Sequence, residues 1–179
     1  MWQRGGVALP VPLDLPADAV RDALAPLRHD FSVAIHAPGN AFAVGAILRV
    51  AHNFLAREVI LIGDAPFYEK ASMGMEKYER VERLTDDAAF LEHVRGRPLW
   101  ALEKDAARRS LYAVREFPPG VVFLLGSERF GVPARLLAAA DDVIGIPLYG
   151  VNHSLPVAIA AGIVMNEWAR VRYSGGRLI

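Results

Sequence analysis

The 179-residue chain contains no cysteine. That absence removes disulfides, thiolate catalysis and cysteine-ligated zinc, and it fits a reducing cytoplasm. An excess of either charge is also lacking, since 20 lysines and arginines balance 20 aspartates and glutamates for a formal net charge of +0. The whole-molecule field therefore gives no reason to expect a polyanionic partner, although a local basic patch can still hold one. No apolar run approaches the roughly 18 residues of a membrane span. The opening MWQRGGVALPVPLDLP has no long apolar segment of the signal-peptide kind, so an untargeted soluble protein is expected. Repeats, low-complexity tracts and long runs of like charge are missing. So are GxxxxGKS/T and a GxGxxG opening a helix, which argues against the common phosphate loops.

What the sequence does have is apolar residues, 53% of the total, enough for the core of one domain. They come in short runs: FSVAIHA (31–37), EVILIG (58–63), RPLWALE (97–103), GVVFLLG (120–126) and DVIGIPL (142–148). Runs of this length read as strands buried on both faces. Between them AFAVGAILRVAHNFL (41–55), DDAAFLEHVRG (86–96), PARLLAAA (133–140) and SLPVAIAAGIVMNEWARVR (154–172) read as helices. Alternation of this kind predicts an α/β fold, a mostly parallel sheet with helices on both faces. Residues 1–30, with a short helix candidate at 17–27, read as an N-terminal appendage, and 31–179 as the main domain.

In open α/β sheets ligands sit beyond the carboxyl ends of strands, where a loop turns into a helix. Three such turns occur, in HAPGNAFAVGAILR, LLGSERFGVP and IPLYGVNHSLPVA. Taken singly each is ordinary turn chemistry. In order, GAILRVAHNF (45–54), FLLGSERFGVP (123–133) and IPLYGVNHSLPVAIAAGIVMNEWAR (146–170) resemble the motifs of the SpoU/TrmH branch of the SPOUT methyltransferases, and ASMGMEKYERVERL (71–84) adds an AxxGxE-like stretch. The resemblance implies a C-terminal trefoil knot, an S-adenosylmethionine site, a homodimer, and methyl transfer to a ribose 2′-hydroxyl of tRNA or rRNA. No periodicity argument would select a knot.

The same resemblance assigns residues. Arg49 is the motif-one arginine, which engages the target nucleotide and activates its hydroxyl. A neutral guanidine at pH 7 would cost roughly 5 or more pKa units, about 7 kcal/mol, so a phosphate clamp is favoured over a literal base. An arginine in so apolar a helix should have a specific partner; the plainer alternative is that it snorkels to solvent. Glu128 would orient Arg49 or a nearby backbone in the catalytic pocket; an acid at a helix start is also ordinary. Leu125 and Gly126 would hold the cofactor, with Gly126 allowing close approach to the main chain. Ile146, Leu148 and Leu155 would flank the adenine, or simply pack in the core. Ser154, the motif-three serine, counts as catalytic and cofactor-binding, and is also a sound N-cap for the helix that follows. His36 and His153 read as loop histidines, and no metal site is expected.

Two positions depart from the family pattern. Pro156 stands where motif three carries an asparagine, and Ala43 stands six residues before Arg49, where motif one carries another. Asn40 reads as the N-cap of its own helix, about 13 Å along the axis from Arg49. The departures leave open a catalytically impaired relative that binds RNA or cofactor, and an unrelated α/β small-molecule enzyme is a further alternative. Lys104, Arg108 and Arg109 form the densest basic cluster for an RNA contact, with Arg129 and Arg135 beside motif two.

Overall fold

The computed structural model describes residues 15–36, 39–64, 68–127, 129–152 and 154–172. Among these residues are seven strands, β1 Ser32–His36, β2 Glu58–Ile62, β3 Val81–Leu84, β4 Leu99–Leu102, β5 Arg109–Ser110, β6 Val122–Leu125 and β7 Asp142–Gly145, which alternate with helices except that β4, β5 and β6 follow one another without an α-helix between them. The helices are α1 Ala17–Leu24, α2 Ala41–Asn53, α3 Glu69–Ser72, α4 Asp87–His93, α5 Ala134–Ala139 and α6 Val157–Arg172. The strands form one sheet in the order β3-β2-β1-β6-β4-β7-β5, and every pairing is parallel.

Each face of the sheet is covered, which is why the five apolar runs read as strands from sequence. Alternate residues of β1 split between the two sides: Val33 and Ile35 pack with Ile47 and Leu48 of α2 and Val164 and Trp168 of α6, while Ala34 packs with Phe90 of α4 and Leu136 of α5. Asn40 caps α2, accepting from the Phe42 and Ala43 amides at 3.1 and 3.3 Å. Gly45 is fixed by packing, because a β-carbon there would lie 2.5 Å from the Tyr68 carbonyl oxygen and 2.8 Å from the Ala71 β-carbon.

Strands β3 and β5 escape a hydrophobicity reading because they are the edges of the sheet. Val81–Leu84 is partly exposed and carries Glu82 and Arg83, and Arg109–Ser110 is only two residues long. The last helix starts at Val157 rather than 154.

The amino edge of the sheet is closed by ion pairs. Glu58, 2% exposed, starts β2 beside Ser32 of β1. Arg97 donates to the Glu58 carboxylate at 2.6 Å and to the Ser32 hydroxyl at 2.5 Å, and His93 Nε2 lies 3.3 Å from Glu58. Burial pushes the Glu58 pKa up, but the bonds and charges of Arg97 and His93 outweigh it and hold the carboxyl below its ordinary range. A second buried acid, Glu79, takes both Nη atoms of Arg28 at 2.7 and 3.1 Å and lies 2.8 Å from His52 Nδ1. Asp30 accepts from the Gly120 amide and Asp141 from the Leu99 amide, both at 2.8 Å.

Candidate functional site

The carboxyl edge is open. Beyond the ends of β4, β6 and β7 lies a cavity of about 940 Å³, walled by Leu102, Leu125, Ile144, Ile146, Leu148 and Leu155. That size and apolar character suit a nucleoside-sized ligand. Polar groups enter from Glu103, Ser127, Asn152 and Ser154, the charged Lys104, Asp105 and Arg129 also line it, and the first turns of α6 close the floor with Val157 and Ala160.

The loop after β6 forms one wall, and its shape follows from two glycines. A β-carbon at Gly126 would lie 1.9 Å from the Gly131 carbonyl carbon and 2.3 Å from the Val132 nitrogen, so the main chain that excludes a side chain there is the protein's own. At Gly131 φ is +64°, and a β-carbon would meet Glu103 Oε2 at 2.4 Å. The loop closes on itself through the Gly131 amide to the Ser127 carbonyl at 2.9 Å and the Phe130 amide to the Ser127 hydroxyl at 3.2 Å. The Val132 amide donates to Glu103 Oε2 at 3.1 Å. On the outer side Phe130 is 79% exposed, with the Arg129 guanidinium 5.1 Å from its ring centre.

Leu125, Gly126, Ile146, Leu148, Ser154 and Leu155, which are spread over 31 positions of sequence, all line this one cavity. Ser154 does not cap α6. Its amide and hydroxyl donate to Asn152 Oδ1 at 3.2 and 3.3 Å, while the Pro156 carbonyl accepts the first helical bonds from Ile159 and Ala160. An Asx turn holds the serine and the proline leads into the helix.

Arg49 is not among the residues lining the cavity. It is exposed on α2, about 12 Å along the axis from Ala41, and its side chain has no ion-pair or hydrogen-bond partner among the described residues. The specific partner expected from its apolar neighbours is therefore not found there. Glu128 and His153 lie outside the described residues. His36 ends β1 with Nε2 3.0 Å from Asp87 Oδ1 and does not line the cavity. The basic cluster is already engaged: Arg109 pairs with Asp142 and stacks 4.7 Å over Trp100, Lys104 pairs with Asp105 at 2.8 Å, and Arg108 donates to the Asp141 carbonyl.

Sequence reasoning missed Glu103, Gly131 and Asn152. For Glu103 a signal existed: it is the acid that ends the apolar run RPLWALE, at the edge where ligands bind. For Gly131 and Asn152 the deciding contacts are made only by the folded loops.

Residues 30–166 match the model of the SpoU rRNA Methylase family. The chain belongs to that family. A TrmH-family protein of Bacillus subtilis is 28% identical over 72% of this chain, but the match spans only 54% of that protein's length. A tRNA (guanosine(18)-2′-O)-methyltransferase of Thermus thermophilus is 31% identical over 79% of this chain and 74% of its own. Among solved structures, the AdoMet-bound rRNA methyltransferase of Sinorhizobium meliloti superposes with a TM-score of 0.74 at 27% identity, over 87% of this chain and 61% of that one. Among the described residues no helix is long and apolar enough to cross a membrane.

Proposed function

We propose that this chain is an S-adenosylmethionine-dependent RNA ribose 2′-O-methyltransferase acting on tRNA or rRNA. One observation carries the reading: the six residues that the family motifs assign to the cofactor converge on a single apolar-walled cavity at the carboxyl edge of the sheet. Such a cavity fits the cofactor, with Ile146, Leu148 and Leu155 flanking the adenine and the main chain at Gly126 and Ser127 supplying fixed polar groups. The bound sulfonium supplies an electrophilic methyl group.

What remains for the protein is positioning and charge. Arg49 holds a phosphate of the target nucleotide with its planar fork and stabilises the 2′-oxygen as its proton passes to solvent water. Glu128 orients it, and Ser154 stands at the cavity with Asn152. Because Arg49 is exposed and lies off its own cavity, a homodimer is part of the proposal. The exposed side of α2 and the α6 face carrying Ile159, 53% exposed, pair with a second copy and bring Arg49 to that copy's cavity. Strand β7, inserted between the earlier strands β4 and β5, together with the return of α6 against α2, supports a knotted path for the C-terminal segment.

A second reading, a relative that binds RNA or cofactor without methyl transfer, is favoured by Ala43 and Pro156. Ala43 is 4% exposed among apolar neighbours, so the family asparagine would bury an amide there. Calorimetry with S-adenosylmethionine and ribose-methylation mass spectrometry on RNA from cells with and without the gene decide between them. Cofactor binding with a lost methyl mark establishes the enzyme, cofactor binding without one establishes the impaired relative, and no binding at millimolar cofactor defeats the enzyme and leaves only a relative that binds RNA. Sedimentation showing only monomer at tens of micromolar would remove the dimer.

A further inference from the structure

Glu103 is held in an unusual place for an acid. It follows β4 at the centre of the carboxyl edge, is half-buried, and lines the cavity between the loop after β6 and the end of β7. Its own amide donates to the Ile144 carbonyl at 3.2 Å, which ties it to β7. Its carboxylate crosses to the opposite wall, where Oε2 accepts the Val132 amide at 3.1 Å. That crossing is possible only because Gly131 has no side chain: a β-carbon there would lie 2.4 Å from the same oxygen. The other oxygen, Oε1, has no hydrogen-bond partner among the described residues. A carboxylate has about four acceptor sites, and one amide leaves most of them open. Lys104, the adjacent cation, pairs instead with Asp105.

We propose that Glu103 is a cofactor-positioning residue with two tasks. Oε2 latches the Gly131–Val132 end of the loop after β6 through the Val132 amide, and Oε1 accepts a hydrogen bond from a hydroxyl or ammonium group of the cofactor. The proposal rests on the cofactor reading above and adds to it an anionic acceptor on the cavity wall; the other carboxylate lining the cavity, Asp105, is paired with Lys104. A charged acceptor makes the latch stronger than a neutral one would, and a loop fixed before the ligand arrives lowers the ordering cost of binding.

Two variants separate the tasks. E103L removes latch and acceptor together; E103Q keeps a carbonyl oxygen for the Val132 amide but loses the charge. The measurements are S-adenosylmethionine affinity by calorimetry, hydrogen exchange at the Val132 amide in the ligand-free protein, melting temperature, and KM for cofactor against kcat. E103L is expected to weaken cofactor binding by about tenfold or more, the scale of a hydrogen bond to a charged group, and to speed Val132 exchange with the melting temperature unchanged. E103Q should keep Val132 exchange slow and still bind cofactor more weakly than wild type. In both, KM for cofactor rises while kcat at saturation holds.

E103L binding within about twofold of wild type, well inside the scale of one such bond, overturns the proposal while the enzyme reading stands. E103Q indistinguishable from wild type overturns the acceptor task. Loss of binding that only tracks a lowered melting temperature reduces Glu103 to a fold residue. A wild type that binds no S-adenosylmethionine defeats the cofactor reading itself, and the proposal with it.

Discussion

The two edges of the sheet are built from the same strands to opposite ends. At the amino edge, acids that start or precede strands are matched to a cation or an amide: Glu58 to Arg97, Glu79 to Arg28, Asp30 to Gly120 and Asp141 to Leu99. At the carboxyl edge, glycine-shaped loops surround a cavity, and large apolar side chains stay in solvent, among them Phe130 at 79%, Tyr149 at 92% and Val151 at 95% exposure. Parallel strands all begin at one edge, so one edge can be devoted to stability and the other left for a ligand. Substitutions at the first should cost fold stability, and those at the second should cost function.

The largest effect expected is at the amino edge. R97M leaves the Glu58 carboxylate buried without its main partner, a defect worth about 3–5 kcal/mol. Urea unfolding should show a lower midpoint with unchanged slope, and the surviving folded protein should bind cofactor normally. A midpoint within error of wild type would break the contrast between the edges.

R49A comes next, on the functional side. It should lower methyl transfer by about 10²-fold, the scale of removing preorganised electrostatic stabilisation, with cofactor affinity and melting temperature unchanged. R49K should not rescue it, because an ammonium lacks the planar fork. A parallel drop in melting temperature would move Arg49 to the structural side.

G126A sharpens the comparison further. Its β-carbon would overlap the Gly131 backbone, so the loop must shift, and cofactor affinity should fall by about tenfold with little change in melting temperature, loops being less coupled to global stability than core strands.

Smallest and most graded is the response to pH, which should come from the amino edge. His29 lies against Trp168 with ring centres 4.9 Å apart; burial lowers its pKa, Arg172 lowers it further, and Asp30 opposes them. Its contribution is therefore present above the unfolded value near 6.5 and is lost as pH falls through the folded one. Glu58, also depressed, contributes above the ordinary carboxylate range near 4.3 and is lost as pH falls through its lower folded value. Melting temperature should fall on acidification in two stages. H29F should remove the upper stage and E58Q the lower; stability that rises on acidification would contradict both.

Much of the fold was legible because burial on both faces writes itself into composition. EVILI of β2 is buried at every position, and so is VFLL of β6. VERL of β3 and the two residues of β5 were not, since an edge strand has a solvent side and its residues look like loop. The buried charges were equally hidden: Glu58 and Glu79 look like surface acids until Arg97 and Arg28 arrive from 39 and 51 residues away. At the site, the motif residues, Ser154 among them, named the cavity wall, whereas the added reading of Ser154 as the cap of the last helix gave way to an Asx turn in which its amide and hydroxyl donate to Asn152.

By itself the sequence determined the alternation of strand and helix, the three ligand-edge turns and the family, because each is set by residues near one another along the chain. Strand order, the meeting of Glu103 with Val132, the use of Gly126 and Gly131 to let two stretches of backbone touch, and the placing of Arg49 away from its own cavity were decided only in three dimensions. They depend on contacts between segments whose separation carries no local pattern, and only packing around a common core brings those segments together.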